Sequence, residues 1–200
     1  MTQITTMTPD VLQAIEHVGR LGRRDFLKFS AAAAGLAAAG GLFAPLASAA
    51  DLPPGIRHLS GPEYAVFHRL MEVALPTRGT ALVPTARIPV LQTLDGALLA
   101  TMEAHILKGL KGGIAYFNEG PTAMFGKPFV ALSDIEARAF CDIWADSDEL
   151  PQRALVVGLK KLVGLAYWAN PPTWAPLGYD GPVTDKWNLK SLGNAPMPTA

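Results

Sequence analysis

Cysteine is nearly absent from this chain: among 200 residues only Cys141 carries a thiol. A single thiol excludes an internal disulfide, a thiolate-held iron–sulfur cluster and a haem attached through Cys-x-x-Cys-His, each of which needs more. Cys141 itself falls in the apolar pattern of a helix, which predicts a buried, inert thiol rather than a nucleophile. An excess of charge is also missing. Lys and Arg number 17, Asp and Glu number 17, and together they make up 17% of the chain. A chain this balanced has no electrostatic footprint for nucleic acid or for an anionic membrane surface, so neither is expected as a partner.

The sequence is equally poor in constellations that carry chemistry. No glycine-rich phosphate loop or dinucleotide fingerprint follows a strand; Gly35 to Gly41 has suggestive glycine spacing but lacks the lysine and hydroxyl a phosphate loop requires. Past residue 49 only His58, His68 and His105 remain as imidazoles. They fall in different elements, none pairs at i, i+4, and no His-Glu-x-x-His run occurs, so no metal site is expected. A Gly-x-Ser-x-Gly elbow is absent. The carboxylates Asp146, Asp148 and Glu149 gather at a helix start, where capping accounts for them without catalysis. No catalytic, cofactor-binding or metal-ligating residue is therefore assigned.

What the chain does have is an address. Arg23 and Arg24 stand side by side, followed by Asp25, Phe26, Leu27 and Lys28. This is a twin-arginine pattern. Phe29 to Leu46 then carries no charge and is built mainly of alanine, glycine and leucine, as expected of the apolar region behind a charged head. Gly35, Gly40 and Gly41 make that region a poor helix, each glycine costing roughly 1 kcal/mol relative to alanine. A weakly apolar core behind an arginine pair favours the twin-arginine translocase, which carries folded cargo. Ala47-Ser48-Ala49 offers a small-x-small site, so cleavage is expected after Ala49, giving a leader over residues 1–49 and a domain over 50–200. The other reading is an uncleaved membrane anchor, since the apolar run approaches the ~20 residues that span a bilayer.

Removing residues 1–49 takes away four of the 17 cations and three of the 17 acids, leaving 13 and 14, a net charge of −1 with histidines neutral. The remainder is the size of one domain with a single core. Asp51 to Leu59, with Pro53 and Pro54, reads as an extended lead-in. Ser60-Gly61-Pro62-Glu63 is a capping box opening a helix with Tyr64, Phe67, Met71 and Ala74 at helical spacing, ended by Leu75-Pro76. A loop follows to Ile88. Pro89 opens a longer helix to about Leu110, striped by Leu91, Leu94, Leu98, Met102 and Ile106, with Lys108 and Lys111 in its last turn and Gly112-Gly113 as its stop.

Ile114 to Leu132 reads as an ordered loop holding one short helix and packed by its own aromatics, Tyr116, Phe117, Phe125 and Phe129. Ser133-Asp134-Ile135-Glu136 is a second capping box, starting a third helix through Phe140 and Trp144. Asp146 or Ser147 caps a fourth, whose buried face is Leu155, Leu159, Leu162, Val163 and Ala166. No stretch alternates with period two, so the fold is expected to be all-α, roughly four main helices in one domain. From Asn170-Pro171-Pro172 the character changes. Trp174, Tyr179 and Trp187 alternate with Pro176, Gly178, Gly181 and Pro182, so residues 170–200 form an extended, aromatic, Pro/Gly-rich tail. Such a tail has no core of its own: its rings either close the base of the helical domain or anchor a partner, as Trp and Tyr often do at interfaces.

The twin-arginine leader, the helix ending at Leu75-Pro76 and the terminal series Tyr167, Trp168, Pro171, Trp174, Leu177, Gly178, Tyr179, Gly181 and Pro182 resemble the gluconate 2-dehydrogenase subunit 3 family. These are small subunits of bacterial flavin-dependent sugar and alcohol dehydrogenases. The resemblance implies a non-catalytic chain without a cofactor of its own. Its partner would be a large FAD-dependent dehydrogenase of the glucose-methanol-choline oxidoreductase type, which lacks a leader and is carried with it to the periplasm. A cytochrome c subunit accepts electrons in several members. On this reading Tyr167, Trp168, Pro171, Trp174, Leu177, Gly178, Tyr179, Gly181, Pro182 and Trp187 are the partner-binding set, and Arg23, Arg24, Phe26, Leu27 and Lys28 the export signal. An independent periplasmic α-helical binding protein or enzyme, with His105 or Tyr116 as the polar group of a pocket, is the alternative.

Overall fold

The computed structural model describes residues 52–188 and, ahead of them, Gln13 alone. The export signal at Arg23, Arg24, Phe26, Leu27 and Lys28, the cleavage site at Ala47 and Ala49, and the end of the tail lie outside the described residues. Among those described there is no strand, and the fold is all-α in a single domain.

Helix α1, Gly61–Ala74, begins where the first capping box predicts, with the Ser60 N–H donating to Glu63 Oε2 at 2.7 Å. It stops at Leu75, before Pro76. Helix α2 is Val90–Thr93, and α3 is Ala104–Glu119. A short α4 follows at Thr122–Phe125, then α5 at Asp134–Ala145, α6 at Leu150–Trp168 and a single turn, α7, at Val183–Lys186. The second capping box also holds: the Ser133 N–H reaches Glu136 Oε2 at 2.7 Å while the Glu136 N–H reaches Ser133 Oγ at 3.4 Å.

Helix α6 is the axis of the domain and packs against α1, α2, α3 and α5. The stripe read from the sequence, Leu155, Leu159, Leu162, Val163 and Ala166, is buried along with Val156 and Tyr167. Beside it, Phe117, Phe129, Phe140 and Trp144 form an aromatic wall, with ring centroids 4.6 Å apart for Phe117–Phe129 and 4.7 Å for Phe140–Trp144. Arg69 ties α1 to the start of α5 by donating to Leu132 O and Asp134 Oδ1, each at 2.8 Å.

Three expectations need correction. The helix read as continuous from Pro89 to Leu110 is broken: the chain widens to a π turn over Leu94–Leu98, tightens to a 3-10 turn over Leu99–Thr101, and is extended at Met102. The stripe stays buried, but so do Gln92, Thr93 and Asp95. A segment enclosed on nearly every side is not a surface helix with one apolar stripe.

Second, Gly112-Gly113 does not stop a helix. Both lie inside α3, whose buried face Ile106, Gly109, Leu110, Gly113, Ile114 and Phe117 keeps helical spacing through the glycines, so packing overrides propensity. Lys108 and Lys111 therefore sit in the interior of α3, and the first residues of the expected aromatic loop are helical.

Third, neither Asp146 nor Ser147 is the N-cap of α6. Asp146 closes α5, and Glu149 opens α6, its N–H received by Ser147 Oγ at 3.1 Å.

Candidate partner-binding surface

The tail leaves α6 through a buried polar turn. Asn170 is fully enclosed; its Nδ2 donates to Ala166 O at 2.7 Å and Thr93 Oγ1 at 3.3 Å, while its backbone oxygen accepts from Thr173 Oγ1 at 2.7 Å. Pro171 then starts a 3-10 turn, Pro171–Thr173, and a second turn follows at Ala175–Leu177. The tail is thus wound rather than extended where it meets the domain, because prolines pre-set the φ of a turn's first residues.

The motif residues divide into two groups. Tyr167 belongs to the core: its ring is 0% exposed, it meets Trp168 edge-on at 4.8 Å, and its hydroxyl donates to Val83 O at 2.8 Å, pinning the loop between α1 and α2. It has no surface to offer a partner. Trp168 is half-buried, and its backbone oxygen accepts the Trp174 Nε1–H at 2.8 Å. Trp174 in turn supports Tyr179, the two rings standing edge-on 5.2 Å apart, and its backbone oxygen accepts the Tyr179 N–H at 3.1 Å.

Two glycines let the chain fold round the Trp174 ring. Gly178 closes the second turn at φ +67° and Gly181 turns at φ +104°, conformations that side chains with a Cβ rarely adopt. Gly181 is buried, and a Cβ there would stand 3.7 Å from Trp174 Cζ3. Pro182 is half-buried beside it.

Beside one exposed ion pair, this scaffold leaves large apolar groups in solvent. Leu177 is 57% exposed, Tyr179 38%, Val183 50% and Trp187 71%. Lys186 pairs with Asp180 across the same segment, and that ammonium holds the Asp180 carboxyl below its ordinary range. Scaffold and surface therefore come from one short stretch: Trp168, Trp174, Gly178 and Gly181 shape it, and Leu177, Tyr179, Val183 and Trp187 are displayed by it.

The pocket residues of the alternative reading do not come together. His105 is exposed on α3 beside Glu103 Oε2 at 3.5 Å, whereas the half-buried Tyr116 ring lies on Trp144 at 5.4 Å. A groove of about 270 Å³ lies elsewhere, lined by Val73, Pro76, Arg138, Cys141, Asp142 and Lys160 among others, and includes neither. Cys141, 4% exposed, is among the lining residues, and burial pushes its thiol up to about 11, which disfavours the thiolate at neutral pH. Among the described residues no His, Cys, Asp and Glu side chains gather as a metal ion would require, and no helix is long and apolar enough to cross a membrane.

Sequence reasoning passed over Asp95, the most enclosed acid among the described residues, at 0% exposure. Its Oδ1 accepts the Arg57 N–H at 2.8 Å, and its Oδ2 accepts the N–H groups of His58 and Leu59, both at 2.9 Å. Lys111 completes the arrangement from α3, donating to His58 O at 2.6 Å and Glu63 Oε2 at 2.8 Å. The visible signal was one carboxylate in the otherwise uncharged run from Pro89 to Met102.

No family of known proteins, no curated protein and no solved structure matches the chain.

Proposed function

We propose that this chain is the non-catalytic small subunit of a bacterial dehydrogenase complex. It binds a large FAD-dependent subunit of the glucose-methanol-choline type, supports its folding and assembly, and carries it through the twin-arginine translocase to the periplasm. The observation that carries this reading is the division of labour in the tail. Trp168, Trp174, Gly178 and Gly181 build a fixed platform whose outcome is an exposed apolar display of Leu177, Tyr179, Val183 and Trp187. Exposed aromatic and aliphatic groups held in one conformation lose little entropy on docking, which is what an interface anchor needs. Tyr167, from the same motif, acts through the core by holding the loop at Val83.

The resemblance to the gluconate 2-dehydrogenase subunit 3 family adds the identity of the partner, the FAD it carries and the cytochrome c subunit to which several complexes pass electrons. The leader with Arg23 and Arg24 supplies the route. Changing both arginines to lysine and fractionating cells tests the escort role. The expected result is dehydrogenase activity retained in the cytoplasm; activity reaching the periplasm at the normal level would overturn it.

A further inference from the structure

The lead-in ahead of α1 is bound into the domain more tightly than an extended segment requires. Gly55, at φ +94°, lies against the buried Gln92, where an added Cβ would stand 3.4 Å from Gln92 Cγ. Ile56 packs against the core, and Leu59 is 4% exposed. Between them, three successive N–H groups, those of Arg57, His58 and Leu59, enter the single carboxylate of Asp95. The oxygen of His58 is taken by Lys111, and the next N–H, that of Ser60, by Glu63.

Apart from the local Ser60–Glu63 cap, these contacts join pieces that the folded domain alone brings together. Asp95 stands in the π turn after α2, Lys111 in the interior of α3 and Glu63 in the first turn of α1. A fully enclosed carboxylate is stable there because three backbone donors replace the water it loses; without them it would be an uncompensated buried charge. The turn and the lead-in therefore form together or not at all.

We propose that Asp95 and Lys111 form a latch that acts as a folding checkpoint, docking residues 55–59 only when α1, the π turn and α3 have assembled and so fixing where the leader departs from the folded domain. The checkpoint rests on the export reading given above; the latch itself does not. An unlatched lead-in leaves residues 55–59 undocked, the condition of an unfolded passenger, which a translocase for folded cargo rejects.

Arg57 provides the readout, since trypsin cuts after arginine only where the backbone can leave its partners. In the full-length protein, Asp95→Asn is expected to speed cleavage at Arg57–His58 at least ten-fold, and Lys111→Met several-fold, with helical circular dichroism retained. Gly120→Ala, a core substitution that touches no latch residue, speeds cleavage at Arg57 only in step with the domain's other trypsin sites, whereas the latch variants open Arg57 selectively. Equal cleavage in wild type and both latch variants would overturn the latch. Should Asp95→Asn lose its helical signal, Lys111→Met decides, with unchanged cleavage overturning the proposal. The checkpoint is read by export of the folded variants: a fall of at least five-fold supports it, and normal export with Arg57 unprotected overturns it. Failure of the wild-type leader to direct export counts against the functional reading above and leaves the proteolysis result standing.

Discussion

Tyr167 and Trp187 stand at opposite ends of the same aromatic stretch and do opposite things. Tyr167 is enclosed and spends its hydroxyl on Val83 O, so Tyr167→Phe removes one buried hydrogen bond and leaves the tail surface unaltered. The expected loss is about 1 kcal/mol of stability, a fall of roughly 4 °C in Tm by thermal unfolding, with partner affinity unchanged. Trp187, at 71% exposure, contributes little to the fold. Trp187→Ala is expected to leave stability within roughly 0.5 kcal/mol of wild type. A ring of this type at an interface, when removed, weakens binding by about 30-fold, corresponding to ~2 kcal/mol. A Tm that falls with Trp187→Ala and not with Tyr167→Phe would reverse these assignments.

At the scale of elements, close approach and capping set the boundaries. Gly120 ends α3 against the aromatic wall: a Cβ there would lie 2.3 Å from Trp144 Cζ2 and 3.0 Å from Phe140 Cζ, where two ring systems already pack. Gly120→Ala is therefore expected to destabilise by about 2 kcal/mol through overpacking, measurable by chemical denaturation, even though alanine is the better helix former. The α5 cap is pH-sensitive. The Lys127 ammonium, 2.9 Å from Glu136, together with the Ser133 N–H and hydroxyl, lowers the Glu136 carboxyl from 4.5 to about 2. A lowered folded-state pKa gives stability that is present above 4.5 and lost as pH falls through about 2. Acid titration of Glu136→Gln is expected to show a shallower decline in that window. Asp134, lowered chiefly by its bond to Arg69, accounts for part of what remains, as does Glu63. In Glu63, burial raises the carboxyl, but Lys111 and Ser60 more than offset it. An unchanged acid profile would mean that the cap does not couple to unfolding.

These elements also show what local sequence can and cannot convey. Both capping boxes were legible because Ser60 with Glu63, and Ser133 with Glu136, satisfy each other within one turn. The stripe of α6 was legible because its period is that of the helix itself. The π turn over Leu94–Leu98 was not, since Asp95, the carboxylate buried in it, has its partners 36 to 38 residues away in sequence. Gly112-Gly113 misled for the same reason: a helix stop is a local preference, and the burial of Gly113 with Ile114 and Phe117 overrules it. In the tail, the aromatic content was plain, but which ring would be enclosed was not. Tyr167 and Trp174 are separated by the buried turn at Asn170, which also meets Thr93 on α2, 77 residues away in sequence.

Taken whole, the described residues form a helical domain arranged round α6, with a lead-in bound to Asp95 ahead of α1 and an apolar platform after α6. Among the described residues neither carries a metal-binding cluster, and both fit the escort role proposed above. The most direct measurement is the flavin content and subunit composition of the tagged protein purified from the periplasm of its native host, compared with the same preparation bearing Trp187→Ala. Escort of a dehydrogenase predicts a large flavin-containing subunit in a fixed ratio to this chain, lost or strongly reduced on substitution. A lone, flavin-free polypeptide that turns over a substrate by itself would contradict it.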